Sequence, residues 1–215
     1  MIHTNAELSA YNKLRKENPE FFVNRPGTAF EFIFETDLQC SVGAGLMHKD
    51  AYIIILRDAV RFRNGTVGQY MRTISAVGSG SAAALPIIDD RIILIRHERH
   101  ATREIHWEIP RGFVTRNEAP EETARREIVE EIGIPEFEIV KIGSVHPDTG
   151  MSNVRTQLYL ARLIGVPHVM AANEGIDELK TVTIDEFDAM LRADEITDSF
   201  TLAAVLQARV RGLLK

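Results

Sequence analysis

The chain has 215 residues, 45% of them apolar and 26% charged, and carries a net charge of −6 from 31 acidic and 25 basic side chains. That length fits one domain with extensions or two small ones, and the ordinary apolar fraction requires a packed core. The acidic balance excludes a protein that grips nucleic acid through a broad basic face, but it leaves room for a phosphorylated small molecule beside a bound divalent cation.

The opening MIHTNAELSA has no basic stretch leading into an apolar run, so it does not read as a secretory signal. Residues 4–17 read as a helix: Thr4 and Glu7 stand at capping-box spacing, and Leu8, Tyr11 and Leu14 recur at three-residue steps. Asn24-Arg25-Pro26-Gly27 then breaks the chain. From 28 to 98 the pattern is strand-like. Phe30 to Phe34 is short and aromatic. Cys40 is the single cysteine, so no internal disulfide can form, and with no Cys or His at ligand spacing it reads as a small buried or half-buried residue. A lone thiol fits a reducing compartment, and the longest apolar runs, such as Ala51 to Leu56, are far below the ~18 residues that span a bilayer. Cytoplasm is the expected location, with no membrane partner.

Tyr52 to Phe62 leads into Asn64-Gly65, a hairpin signal, and Val67 to Ser75 returns. Gly78-Ser79-Gly80-Ser81 is the best boundary. It separates residues 1–77, a helix and a β-rich part, from residues 78–215. Ala82 to Ile88 and Ile92 to Ile95 flank Asp89-Asp90, a second hairpin. A helix follows at 120–132, then strands at 137–146, 154–163 and 178–183, and two closing helices. The last carries Leu202, Val205, Leu206, Val210 and Leu213 at helical spacing, which predicts one buried face. Strands interleaved with helices, some in hairpins, predict an α/β (α+β) fold with a mixed sheet covered by helices.

The segment from Trp107 to Ile134 carries the chemistry. Pro120 suits the first helical position, Glu121 and Glu122 suit the positive N-terminal end, and Gly133 is a natural stop. At roughly 100° per residue, Glu127, Glu130 and Glu131 share an arc of about 100°, while Ile128, Val129 and Ile132 can pack inward. Three carboxylates together near a helix C-terminus repel one another, and a hard cation such as magnesium would relieve that repulsion. Alone, such a run would be an ordinary solvated helix face.

The surrounding pattern is more specific. Gly112, Glu118, Arg126-Glu127, Ile128, Glu130-Glu131, Gly133 and Ile134 reproduce every defined position of the Nudix box, and the chain resembles the Nudix hydrolase superfamily. The resemblance implies a Nudix fold, with a mixed sheet between helices, and hydrolysis of a diphosphate carried on a nucleoside. It implies Glu127, Glu130, Glu131 and the Gly112 carbonyl as ligands of Mg2+, with Mn2+ as a substitute, and Glu118 with Arg126 as the pair bracing the loop on the helix. The water's proton would go to a box glutamate, Glu131, or to a later loop glutamate, Glu174; both stay open.

Before the box, Arg96 to Gly112 (RHERHATREIHWEIPRG) is similar to the ADP-ribose and nucleotide-sugar pyrophosphatase branch. That likeness assigns Arg99 and Glu108 to substrate, and Trp107 to a core or interface anchor. It also implies a homodimer built through the β-rich residues 1–77. Members of the branch carry a diagnostic proline after the box, often in Ser-Pro-Gly followed by an acid. Here the stretch is His146-Pro147-Asp148-Thr149-Gly150, so Pro147 is the matching substrate residue in an altered loop. The expected products are a nucleoside monophosphate and a sugar phosphate. NADH, dinucleoside polyphosphates and oxidised nucleoside triphosphates are alternative substrates, and a non-catalytic nucleotide sensor is a third reading.

Overall fold

A computed structural model describes residues 5–78 and 80–214; Thr4 of the expected cap and Ser79 of the expected boundary lie outside the described residues. The chain forms two compact units, Met1–Val77 with Asp148–Asn153, and Gly78–Pro147 with Val154–Lys215.

In the first unit, strand β3 (Ile53–Phe62) is the spine. β4 (Val67–Ser75) pairs antiparallel along its length after the Asn64-Gly65 turn, where Gly65 takes a φ of 85°. The other side of β3 is shared by β1 (Phe30–Phe32) and β2 (Gly45–Lys49). Helix α1 (Asn5–Glu17) lays Leu8, Tyr11 and Leu14 against Leu56 and Ile74 in one apolar cluster. A polar knot sits inside: the Tyr11 hydroxyl donates to Asp58 Oδ1 (2.6 Å) and Arg72 Nε to Asp58 Oδ2 (2.6 Å). The Arg72 guanidinium lies 5.0 Å from the centres of both the Phe22 and Phe32 rings. The segment Asp148–Asn153 runs beside β4. Thr73 N donates to Met151 O (2.6 Å), Asn153 N to Thr73 O (3.3 Å), and the Tyr70 hydroxyl to Gly150 O (2.9 Å).

The second unit is built on a mixed sheet in the order β11 (Ile176–Val182), β6 (Arg91–Arg99), β5 (Ser81–Ile88), β10 (Thr156–Leu163), β9 (Phe137–Val145). β5 alternates strictly: Ala82 and Ala84 face helix α3 (Pro120–Ile132), whereas Ala83, Leu85 and Ile87 face α4 (Ile184–Arg192) and α5 (Ser199–Val210). Both faces are apolar because both are covered. The hairpin at Asp89-Asp90, both at positive φ, joins β5 to β6, yet the two strands pair only at Ile87–Ile88 with Arg91–Ile92. Beyond that point they fork. β7 (Glu104–Glu108) bonds to β6 and β8 (Arg111–Phe113) to β5, so the chain from 104 to 113 fills the fork. Pro110 O accepts from Ala84 N (3.0 Å), and Ile109 N donates to Thr201 Oγ1 (3.1 Å), which pins the crossing.

Four expectations are corrected. Cys40 is exposed; helix α2 (Thr36–Ser41) turns Gln39 inward instead. Val129 faces outward, because the inward stripe of α3 runs through Ala124, Ile128 and Ile132. The buried stripe of α5 passes through Thr201, Ala204, Val205 and Ala208, leaving Leu206 and Val210 exposed. In that helix small residues let it approach the sheet, so size and not hydropathy chose the face. The strand expected at 178–183 begins earlier, at Ile176.

Candidate active site

Helix α3 starts at Pro120, with Glu122 Oε2 accepting from Ala119 N (2.8 Å), and stops at Gly133, whose φ of 79° suits a left-handed cap. Four-residue spacing stacks Glu127 and Glu131 on the same side, at the margin of the stripe that meets the sheet. They are therefore buried carboxylates, 8% and 3% exposed, while Glu130 stays at the rim. Burial, then the neighbouring Glu127 and Glu108 charges, push the Glu131 carboxyl up to about 9. Burial also raises Glu127, against the opposing pull of Arg126. Glu131 Oε2 is buried with no hydrogen-bond partner.

Arg126 bridges the helix and the loop before it. Its Nε donates to Glu118 Oε1 (3.1 Å), and its Nη1 donates to Glu127 Oε1 (2.7 Å) and Glu130 Oε2 (2.8 Å). Glu118 in turn accepts from Thr115 N and Oγ1 (3.2 and 2.9 Å), and the Arg126 contact holds its carboxyl down to about 2. Strand β8 delivers Gly112 directly onto Glu127: a Cβ there would fall 1.7 Å from Glu127 Oε1. Only a residue without a side chain lets the backbone approach that carboxylate so closely.

β6 and β7 supply a second wall. Glu108, 1% exposed, receives both Nε and Nη2 of Arg99. His97 Nδ1 stands 3.1 Å from Glu108 Oε1, and Arg111 Nη2 3.7 Å from Oε2. Burial alone would raise Glu108, but His97, Arg99 and Arg111 together hold it below its ordinary range. Arg99 and Glu108 thus partner each other. Glu174, on the exposed turn ahead of β11, lies close enough for its charge to act on both Glu127 and Glu131. His146 and Pro147 sit on an exposed loop after β9, where His146 Nδ1 faces Val154 O at 3.1 Å. Trp107 packs at the edge of the α4–α5 core under Lys180, 4.5 Å from its ring centre.

Sequence reasoning passed over His97 and Arg111. Both lie on the strands bracketing the box and alternate onto the site side or its margin, a signal visible only once the fork is known. Among the described residues, no three acid, imidazole or thiol groups converge as a ready-made cation cage. The donors nonetheless fit a hard divalent ion: buried carboxylates, one oxygen without a partner, and a glycine backbone pressed against Glu127.

The family model for the NUDIX domain matches residues 78–203. The chain is 25% identical over 142 residues to an ADP-ribose pyrophosphatase of Bacillus subtilis (strain 168), covering 63% of this chain and 75% of that one. It is 28% identical over 183 residues to an ADP-ribose pyrophosphatase of Mycobacterium tuberculosis (strain ATCC 25618 / H37Rv), covering 82% and 83%. A CMP-5'-(N-acetyl-N-hydroxy-3-aminopropyl)phosphonate hydrolase of Streptomyces rubellomurinus (strain ATCC 31215) is 28% identical over 130 residues, 58% of this chain and 62% of that one. The crystal structure of an ADP compounds hydrolase superposes with a TM-score of 0.70 at 15% identity, over 88% of this chain and 98% of that chain, a likeness of fold.

Proposed function

The chain belongs to the Nudix domain family, and from that membership we propose that it is a Mg2+-dependent pyrophosphohydrolase acting on a nucleoside diphosphate joined to a second group, ADP-ribose or a nucleotide sugar. The observation that carries the reading is the pair of buried carboxylates Glu127 and Glu131 on one face of α3, with the charges of Glu108 and Glu174 acting on Glu131. The names of two relatives, both ADP-ribose pyrophosphatases, support ADP-ribose as the first substrate to try.

Glu127, Glu131 and the Gly112 carbonyl would hold the cation, with Glu130 at the rim. A bound divalent ion supplies charge screening of the phosphates and a more acidic water. The chain's own groups do the rest. Arg126 and Glu118 keep the box loop on α3, which fixes where Gly112 meets Glu127. Arg99 presents a guanidinium whose planar fork suits a phosphate as well as it suits Glu108. Glu174 is assigned the water's proton because it is exposed, whereas Glu131 is enclosed among acids. For residues 1–77 the proposed role is a dimerisation-type domain of a homodimer, supported by its sheet-rich make-up. The exposed thiol of Cys40 suits a reducing cytoplasm, and no helix among the described residues is long and apolar enough to cross a membrane.

The test is turnover of ADP-ribose, GDP-mannose, UDP-glucose, NADH, diadenosine polyphosphates and 8-oxo-dGTP, with magnesium and with EDTA. Magnesium-dependent release of AMP and ribose 5-phosphate, with ADP-ribose best, is the expected result. A preference for 8-oxo-dGTP would overturn the substrate class, and turnover of nothing by folded protein would overturn catalysis.

A further inference from the structure

We infer that His97 is a positioning residue that fixes the Glu174 turn against the Glu108–Arg99 pair. The inference rests on the reading of this centre as a hydrolase site. His97 alternates with Ile95 and Arg99 on the α3 face of β6, and it is 7% exposed. His97 Nδ1 stands 3.1 Å from Glu108 Oε1, within ion-pair reach but off the line of a straight hydrogen bond. The other edge of the ring faces the turn. His97 is the cross-strand partner of Ile176, two residues beyond Glu174. Gly175 between them takes a φ of 90°, and a Cβ added to it would lie 3.7 Å from His97 Cδ2 and 3.2 Å from Glu98 O. Glu98 N donates to Gly175 O (2.9 Å), so the backbone on either side of the ring is tied down.

The register of β11 breaks immediately afterwards, between Ile176 and Glu178, where a bulge re-aims the strand. The turn carrying Glu174 is thus a short 3-10 segment, Ala172–Glu174, held by a left-handed glycine, by backbone hydrogen bonds from Glu174 N to Ala171 O (2.9 Å), Gly175 N to Ala172 O (3.3 Å) and Glu98 N to Gly175 O (2.9 Å), and by the neighbouring imidazole. Of these supports, the imidazole is the side chain that also stands beside Glu108. Glu174 is exposed between buried Ala171 and Ile176, and the ring lies under Gly175, next to it in the chain.

The test compares His97→Ala, His97→Leu and His97→Gln in the full chain. Hydrogen–deuterium exchange of residues 171–178, without substrate or metal, reads the turn directly. Exchange there should quicken in the Ala and Leu variants while 120–132 is unchanged, and Gln, which keeps an N–H toward Glu108, should restore protection. On the best substrate of the wild-type enzyme, kcat should fall at least 10-fold in Ala and Leu with KM within about 3-fold, and recover in Gln. Unchanged exchange at 171–178 would overturn the inference, and so would equal loss in all three variants together with a lowered Tm. If wild-type protein turns over none of the panel, the hydrolase reading fails while the exchange result still decides the His97 contact.

Discussion

Gly112→Ala separates folding from catalysis at a single atom. The added Cβ would lie 1.7 Å from Glu127 Oε1 and 2.4 Å from its carboxyl carbon, where ordinary contact begins at 3.4 Å. The oxygen must therefore withdraw by about 1.7 Å, and it can, because it is the far end of a flexible side chain. Backbone strain is absent, since Gly112 lies within strand β8 and outside the positive-φ region. An off-rotamer glutamate costs about 1 kcal/mol, which for a chain of this size lowers Tm by about 2–4 °C. Displacing a reacting group by 1 Å costs roughly 100-fold in rate, so kcat on the best substrate should fall by about that factor or more. The assay is steady-state turnover with magnesium beside a thermal melt. Gly78→Ala is the contrasting control: its Cβ would meet the Val114 carbonyl oxygen at 2.1 Å, and backbone cannot swing away. It should cost about 1–3 kcal/mol of stability and leave kcat per folded molecule near wild type. Near-normal turnover by Gly112→Ala, or a melt shifted as far as that of Gly78→Ala, would refute the reasoning.

Glu131→Gln and Glu174→Gln should divide the site: both lose turnover, but calorimetric Mn2+ binding should weaken in the first and persist in the second. Asp58→Ala strands Arg72 and the Tyr11 hydroxyl inside the first unit and should cost about 3 kcal/mol in urea unfolding; Tyr11→Phe should cost about 1 kcal/mol. Glu118 is held down to about 2 by Arg126, so its ion pair stabilises the protein above the ordinary carboxylate value of 4.5 and is lost as pH falls toward 2. Wild type and Glu118→Gln should therefore differ in urea midpoint at pH 6, and the gap should narrow steadily from about pH 4.5 down to about pH 2.5; parallel curves would remove Glu118 from that role.

Much of this was visible in the residues. The α3 limits follow from Pro120 and Gly133, and the two hairpins from Asn64-Gly65 and Asp89-Asp90, because turn and cap chemistry is local. The Nudix box placed its residues in a row, and spacing alone brought Glu127 beside Glu131. What stayed hidden depends on contacts between distant segments. Nothing local says that β5 and β6 part after Ile87, so the approach of Gly112 to Glu127 and of His97 to Glu108 could not be read. The α5 error has the same origin: Leu206 and Val210 look like core, yet Thr201 and Ala204 are buried because of what faces them. Glu108 could be read as a salt-bridge partner, but the sequence does not say that Arg99 is the residue it meets, because that depends on the register of β6 against β7.

The first unit is completed by a piece of chain from the middle of the molecule, and that imposes an order on synthesis. When the ribosome has made residue 77, β4 has its partner β3 on one side and bare amide and carbonyl groups along Thr73 on the other. Met151 and Asn153, which occupy those groups, are translated about 70 residues later, a delay of about 4–14 s at ordinary elongation rates. Throughout that interval the nascent chain displays an unfinished strand edge, the feature most prone to pair with a neighbouring chain. Slow codons or a pause between residues 78 and 147 would lengthen the exposure, so recoding that stretch alone should change how much protein is recovered in soluble form.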